Sequence, residues 1–400
     1  MVDTSKCIEF SNYLNYYKKK THLSFYDYQK ILFMTANQFP QTKPIIQTKL
    51  YDEWQQKHEV TEILKVEPIE KKYVFIDFSL NSISDLINIV EKNPIQENTE
   101  YNINLSMINS IKQELCEFDK MIGMQSLKKS VLDQLLYYIQ GFHKDGDDYK
   151  HTVIFGPPGT GKTEVAKILG KIYSKIGVIN KPKKVEGQEI IDNYEFKKVT
   201  RSELIAGFLG QTAIKTKAII NRCLGGVLFI DEAYSLGDDS FSKECVDTLC
   251  ESLSDQKDNI MVIIAGYEGE LNERFFGLNS GLESRFVWRF KIDDYLAKDL
   301  WEIFKKKVID CEWTVGTISG EQWFQKNYAS FSGFGRDIET LLFKVKIAHS
   351  KRVYGKPDLQ KRRIELPDLN NGYEIFMKSK ENTREYSLKK SQKILSTMFV

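Results

Sequence analysis

From Phe118 onward the apolar residues fall into two alternating patterns, helical faces and short unbroken runs. Leu127, Val131, Leu135 and Ile139 recur every four residues and predict one face of a helix. Val153-Ile154-Phe155, Val227-Leu228-Phe229-Ile230 and Ile260 to Ala265 are continuous runs of strand length, and Glu195 to Val199 predicts a further strand. Unbroken apolar strands alternating with helices predict a parallel sheet covered on both faces. Beyond about residue 290 the runs stop. Leu300, Ile303, Phe304 and Val308, then Ile338, Leu341, Leu342 and Val345, predict helices only. The reading is therefore an α/β subdomain over 107–290, a small helical subdomain over 291–377, and a basic, polar tail over 378–400 that is expected to be mobile.

Residues 1–106 form a first region rich in Tyr, Phe, Asn and Lys. Within it Tyr73 to Phe78 predicts a strand, and Ile83 to Val90 a helix with Ser82 or Ser84 as its cap. Glu91 to Asn104, with Pro94 and many Asn and Glu, reads as a linker. No recognisable chemistry lies here. Lys181 to Tyr194 is charged and aperiodic, and reads as a surface insertion.

Composition narrows the class. The chain has 400 residues, 42% hydrophobic and 28% charged, with a formal net charge of +2. That balance excludes a polycation built for nucleic acid. No run approaches the roughly 18 apolar residues of a membrane helix, and the first residues lack an apolar leader core. The six cysteines are scattered without metal-ligand spacing, and Cys245 and Cys250 fit one helix. A reduced, cytoplasmic setting without membrane contact is the expectation.

The chemistry begins at Gly156-Pro157-Pro158-Gly159-Thr160-Gly161-Lys162-Thr163. This phosphate-loop pattern stands between an apolar strand and a helix, where its mechanism requires it. Glycines let successive backbone N–H groups turn inward on phosphate oxygens, and the helix from Lys162 adds the positive end of its dipole. Lys162 is expected to reach the β- and γ-phosphates of ATP, and the Thr163 hydroxyl to ligate Mg²⁺. The strand Val227 to Ile230 ends in Asp231-Glu232, and the carboxyl ends of parallel strands line the ligand crevice. Asp231 is placed for Mg²⁺ and Glu232 for the attacking water.

Around these residues the segment Gly225 to Leu236 resembles the Walker B region of the CbxX/CfxQ branch of AAA+ ATPases. Met121-Ile122-Gly123, Ile264-Ala265-Gly266-Tyr267 and Gly281-Leu282-Glu283-Ser284-Arg285-Phe286 are similar to further motifs of that branch. The resemblance covers about residues 118–350. It implies a ring of identical subunits, usually a hexamer, with ATP bound between neighbours. It also implies that Arg285 is an arginine finger for the adjacent subunit and Arg336 a sensor-2 arginine, and that Ile122 and Gly123 line the adenine pocket. Tyr267 stands where many AAA+ proteins carry an asparagine, which leaves its water-positioning role open.

Ser202 to Thr212 is similar to the family's central-pore loop, with Phe208 as the aromatic that grips an extended polypeptide between Gly207 and Gly210. The functional expectation is an ATPase that remodels or threads a client protein, with the first region and the tail selecting the client. A nucleic-acid remodeller would need basic pore loops, and the weak net charge counts against it. A slow nucleotide-dependent switch or scaffold is the remaining alternative, and Glu232 and Arg285 count against that.

Overall fold

The computed structural model describes residues 72–144, 148–180, 196–208, 210–237, 239–357 and 361–398. Residues 1–71 and the expected insertion at 181–194 lie outside them. Strand β1 (Lys72–Val74) is shorter than the run Tyr73 to Phe78 predicts. Helix α1 (Ile83–Lys92) follows, capped by Ser82. The Ser82 hydroxyl accepts from the amide of Asp85, and the Asp85 carboxylate accepts from the amide of Ser82 at 2.9 Å. Such a reciprocal cap stabilises a helix by about 1 kcal/mol.

The segment expected as a linker carries strand β2 (Thr99–Tyr101), which pairs in parallel with β1. Beside it, Asn102 accepts from the amide of Ile76 at 2.8 Å and donates to its carbonyl at 3.0 Å. Three residues of strand held by one neighbour are too short for periodicity to register. Helices α2 (Leu105–Ser110) and α3 (Lys112–Asp119) come next. Leu86, Ile108, Leu115 and Phe118 join one apolar cluster with Leu127, Val131 and Leu135 of α4 (Gln125–Ile139). Residues 72–400 are one compact unit, so the packing does not divide at residue 106. The change of pattern at Phe118 marks where the chemistry starts, whereas the apolar face of α1 needs the α/β layer to cover it.

Strands β3 (Thr152–Phe155), β4 (Phe196–Val199), β5 (Val227–Asp231), β6 (Met261–Gly266) and β7 (Trp288–Lys291) form a single parallel sheet in the order β4-β5-β6-β3-β7. Alternate residues feed two separate cores. Ile154, Phe229 and Ile263 pack with Val165, Leu169 and Ile172 of α5 (Lys162–Lys175). Phe155, Ile230 and Ile264 pack on the other side with Ile220, Leu249 and Leu253. Ile220 belongs to α7 (Gln211–Arg222), which follows the single turn α6 (Arg201–Leu204), and Leu249 and Leu253 to α8 (Ser240–Asp255). Burial on both faces is why these central strands read as unbroken apolar runs. Strand β7 eluded the sequence reading because its residues, Trp-Arg-Phe-Lys, alternate at a sheet edge. Helix α9 (Ser280–Arg285) precedes it.

The helical subdomain follows, with α10 (Ala297–Asp310), α11 (Gly320–Lys326) and α12 (Phe334–Val353). It also holds a two-residue parallel pair, β8 (Thr314–Val315) with β9 (Arg363–Ile364), so strands do not end at residue 290. The expected tail is instead the continuation of a long helix, α13 (Leu366–Met398). Its first turn is pinned to α12, where buried Asp368 accepts from Arg352 at 2.6 Å and contacts His349 Nδ1 at 3.0 Å. Further along, Lys380 donates to the carboxylate of Asp337 and to the carbonyl of Ser330, both at 2.6 Å. A basic residue read as part of a free tail thereby holds the turn that precedes Arg336. Among the described residues no helix is long and apolar enough to cross a membrane.

Candidate functional site

The phosphate loop leaves β3 and opens α5 through two left-handed glycines, Gly159 at φ 74° and Gly161 at φ 85°. Its entry is fixed by the amide of Gly156, which donates to the carbonyl of Gly266 at the end of β6. The Thr160 hydroxyl donates to the Pro157 carbonyl at 2.8 Å. Lys162 Nζ donates to the carbonyls of Gly156 and Pro157, at 2.9 and 2.8 Å, and so lies folded across the loop. Burial lowers its pKa, and the charges of Asp231 and Glu232 oppose that shift. An ammonium on a glycine-rich loop, in one cavity with Asp231 and Glu232, suits a bound polyphosphate with its metal.

A cavity at the carboxyl end of the sheet gathers the predicted residues. Pro158, Gly159, Gly161, Lys162, Thr163, Asp231, Glu232 and Arg336 line it, together with Tyr234, Tyr267 and Lys198. The strand order explains the meeting. Strand β6 separates the strand of the phosphate loop from the strand of the acidic pair, so Tyr267, just past β6, stands between Lys162 and Glu232 in the cavity wall. Its ring lies 6.0 Å from Lys162 Nζ and 6.2 Å from the ring of Tyr234. Glu232 has a left-handed backbone, φ 52°, as do Met124 at 59° and Phe334 at 44°. Each such residue costs of order 1–3 kcal/mol, and such strain clusters where function fixes geometry.

A second cavity adjoins the loop on the side of the helical subdomain. Met121, Ile122, Met124, Tyr295 and Ile303 give it an apolar wall, and Lys306, Asp310 and Glu339 a polar rim. A flat base fits between such surfaces. Ile122 lines this cavity. Gly123 does not; it packs against Tyr295, whose ring carbons would stand 2.9 Å from a Cβ there.

Two residues of this site, Lys198 and Tyr295, carried no signal in the sequence. Lys198, on the edge strand β4, donates to the carboxylate of Asp231 at 2.6 Å. Tyr295 donates to the carbonyl of Thr160 at 3.0 Å. Tyr234 was legible only as part of the acidic motif. Lys198 and Tyr295 are isolated side chains that the sheet order and the helical subdomain deliver.

Two expected residues lie elsewhere. Arg285 donates to the hydroxyl of Ser254 at 2.8 Å and to the carbonyl of Gly281, and stacks over Tyr149 at 5.7 Å. Tyr149 precedes β3 whereas Gly156 follows it, so Arg285 sits at the opposite end of the strands from its own phosphate loop. Phe208 is 71% exposed on the loop between α6 and α7. Among the described residues no group of three His, Cys, Asp or Glu side chains forms a metal centre. Asp231 and Thr163 line the same cavity, and one carboxylate with one hydroxyl is a donor set that fits Mg²⁺ of the kind that arrives on nucleotide phosphates and keeps several waters.

A parallel sheet carrying a glycine-rich loop and an acidic strand end defines a nucleotide-binding P-loop ATPase. Residues 152–292 match the ATPase family associated with various cellular activities (AAA). The chain is 38% identical over 290 residues to a CfxQ-like protein of Acanthamoeba polyphaga mimivirus, covering 70% of this chain and 68% of that protein. It is 33% identical over 222 residues to stage V sporulation protein K of Bacillus subtilis, covering 53% of this chain and 64% of that one. The AAA domain of FIGL-1 in complex with ADP aligns with a TM-score of 0.46 and 18% identity, over 65% of this chain and 84% of that one. The chain belongs to the CbxX/CfxQ branch of the AAA+ ATPases and is an ATP hydrolase.

Proposed function

We propose that this protein forms a ring, a hexamer, in which ATP turnover moves Phe208 and so remodels or threads a client polypeptide. The observation that supports it most is the division of parts. Lys162, Thr163, Asp231, Glu232 and Arg336 share one cavity, whereas Arg285 faces the opposite end of the sheet. A second copy is needed to bring an Arg285 to these phosphates.

Within the two adjoining cavities each residue has its own task. Lys162 and the loop amides hold the triphosphate, with the adenine against Ile122 and Met124. The Thr163 hydroxyl and Asp231 would hold Mg²⁺, which would supply neutralisation of the triphosphate's charge. Glu232 accepts a proton from the water that attacks the γ-phosphorus, releasing phosphate and ADP. Tyr267 and Tyr234 close the wall around that water. Arg336, on the first turn of α12, reports the nucleotide to the helical subdomain.

On the client side, Phe208 offers a flat apolar ring that grips extended chain without reading its sequence. Gly207 leaves open space beside it, and Gly210 supplies a left-handed hinge at φ 81°. The neighbouring cation, Lys215, is engaged with the carbonyls of Ser202 and Ile205. No described residue of this loop favours the nucleic-acid alternative.

The test is steady-state ATPase activity with and without an unfolded model polypeptide or single-stranded DNA, for the wild type and Phe208→Ala. Stimulation by polypeptide that is lost in the variant is the expected result. Stimulation by DNA alone, equal in both proteins, would overturn the reading.

A further inference from the structure

Phe208 is exposed while Ile205, at the base of its loop, packs on the apolar core, and beyond that contact a lever must be rigidly joined to what drives it. The joints here are polar and lead to one place. At the start of the loop segment, Arg201 donates to the hydroxyl of Ser242 at 2.7 Å, to the carbonyl of Ser235 and to the carboxylate of Asp239. At its end, the carboxylate of Glu244 accepts from the amides of Ala213 and Gly210, at 3.2 and 3.4 Å. Ser235, Asp239, Ser242 and Glu244 all lie within the stretch that leaves Asp231-Glu232 and becomes α8.

Two described residues of that stretch, Asp239 and Gly237, are closely held. Asp239 caps α8 by accepting from the amide and the hydroxyl of Ser242, at 2.8 and 2.9 Å. Gly237 fits so closely that a Cβ would stand 2.2 Å from the Arg274 carbonyl oxygen. Side chains on the loop side add to the frame. Thr212 accepts from the amide of Ala206 at 3.2 Å, and Thr216 donates to the carbonyl of Leu204 at 3.2 Å.

We infer that Arg201 and Glu244 are a pair of positioning staples that fasten the two ends of the Phe208 loop to the segment behind Glu232, so that a change at the nucleotide is delivered to the loop. Neither residue lines the nucleotide cavity. Their role is coupling. The inference builds on the threading reading for its client-side consequence, but its structural core, nucleotide-dependent movement of residues 205–213, is independent of any client.

Two readouts on the full chain test it. The first is hydrogen–deuterium exchange of the 205–213 segment, comparing ATP-bound and ADP-bound protein in a Glu232→Gln background. The wild-type pair of staples gives a nucleotide-dependent difference in protection. Arg201→Met or Glu244→Ala abolishes that difference, and Glu244→Gln, which keeps one acceptor oxygen, leaves part of it. The second readout is ATPase activity with Glu232 intact. Basal turnover stays within about twofold in the staple variants, while stimulation by a carboxymethylated unfolded polypeptide falls at least fivefold.

If exchange responds to nucleotide through the staples but no polypeptide stimulates turnover, the staples stand and the threading reading falls. If the loop shows no nucleotide response in the wild type, or the response survives both Arg201→Met and Glu244→Ala, the inference is overturned. Equal loss of basal and stimulated activity would likewise overturn it in favour of a purely structural role.

Discussion

The carbonyl oxygen of Gly159, at the apex of the phosphate loop, accepts from the amide of Gly335 at 3.0 Å, so the helical subdomain rests directly on the loop that holds phosphate. A Cβ on Gly159 would stand 2.3 Å from the Gly333 carbonyl oxygen and 2.8 Å from the Arg336 amide nitrogen. Gly159→Ala is therefore expected to push α12 and Arg336 away, in addition to about 1–2 kcal/mol of backbone strain. Affinity for a fluorescent ATP analogue should fall at least about tenfold. Unchanged affinity would show that the contact is incidental.

Glu232→Gln keeps the shape of the side chain and removes its basicity. Turnover should drop by about 10² to 10⁴, the range of a lost general base, while ATP binding is retained. A variant that hydrolyses ATP at the wild-type rate would remove Glu232 from the reaction.

Lys198 holds the carboxylate of Asp231, on which the proposed Mg²⁺ site would draw. Replacing Lys198 by Met frees Asp231 and should lower the half-saturating concentration of divalent cation by about two- to fivefold, as a partly exposed ion pair allows. Mn²⁺ binding followed by electron paramagnetic resonance at fixed ATP is the measurement. A raised requirement would mean that Lys198 serves the phosphates instead.

Arg285→Ala should reduce turnover by about 10³ to 10⁵ if the arginine acts across a subunit boundary. Mixing that variant with Glu232→Gln restores some interfaces that hold both an intact Glu232 and an intact Arg285. Recovery of activity on mixing is expected. Two inactive proteins that stay inactive when co-refolded would place Arg285 within its own subunit's structure.

His151, buried just before β3, accepts from the amide of Val262 at 3.1 Å. Burial pushes its pKa down to about 3 from an ordinary 6.5. The neutral ring is the folded form, so its contribution to stability is complete above pH 6.5 and is lost as pH falls toward 3. The midpoint of urea unfolding should drop across that window, and His151→Gln should flatten the dependence. An equally steep profile in the variant would assign the acid sensitivity to other groups.

The sequence by itself determined the central strands, the phosphate loop, the acidic pair and the branch of the family. Each of these is written locally. A strand buried on both faces must be apolar throughout, and a backbone that wraps phosphate must carry glycines at fixed spacing. The same locality explains the misreadings. Strands β2, β8 and β9 span two or three residues each, β1 keeps only the start of its expected run, and β7 is a polar edge, so their pairing partners define them rather than their own patterns. Only tertiary structure decided that Lys198 reaches Asp231 and that Tyr295 reaches the phosphate loop. It also put Lys380 on the turn before Arg336, and separated Arg285 from the phosphates it is expected to serve. These are contacts between residues remote in sequence. They depend on strand order and on where a helical subdomain folds back, which no window of residues encodes.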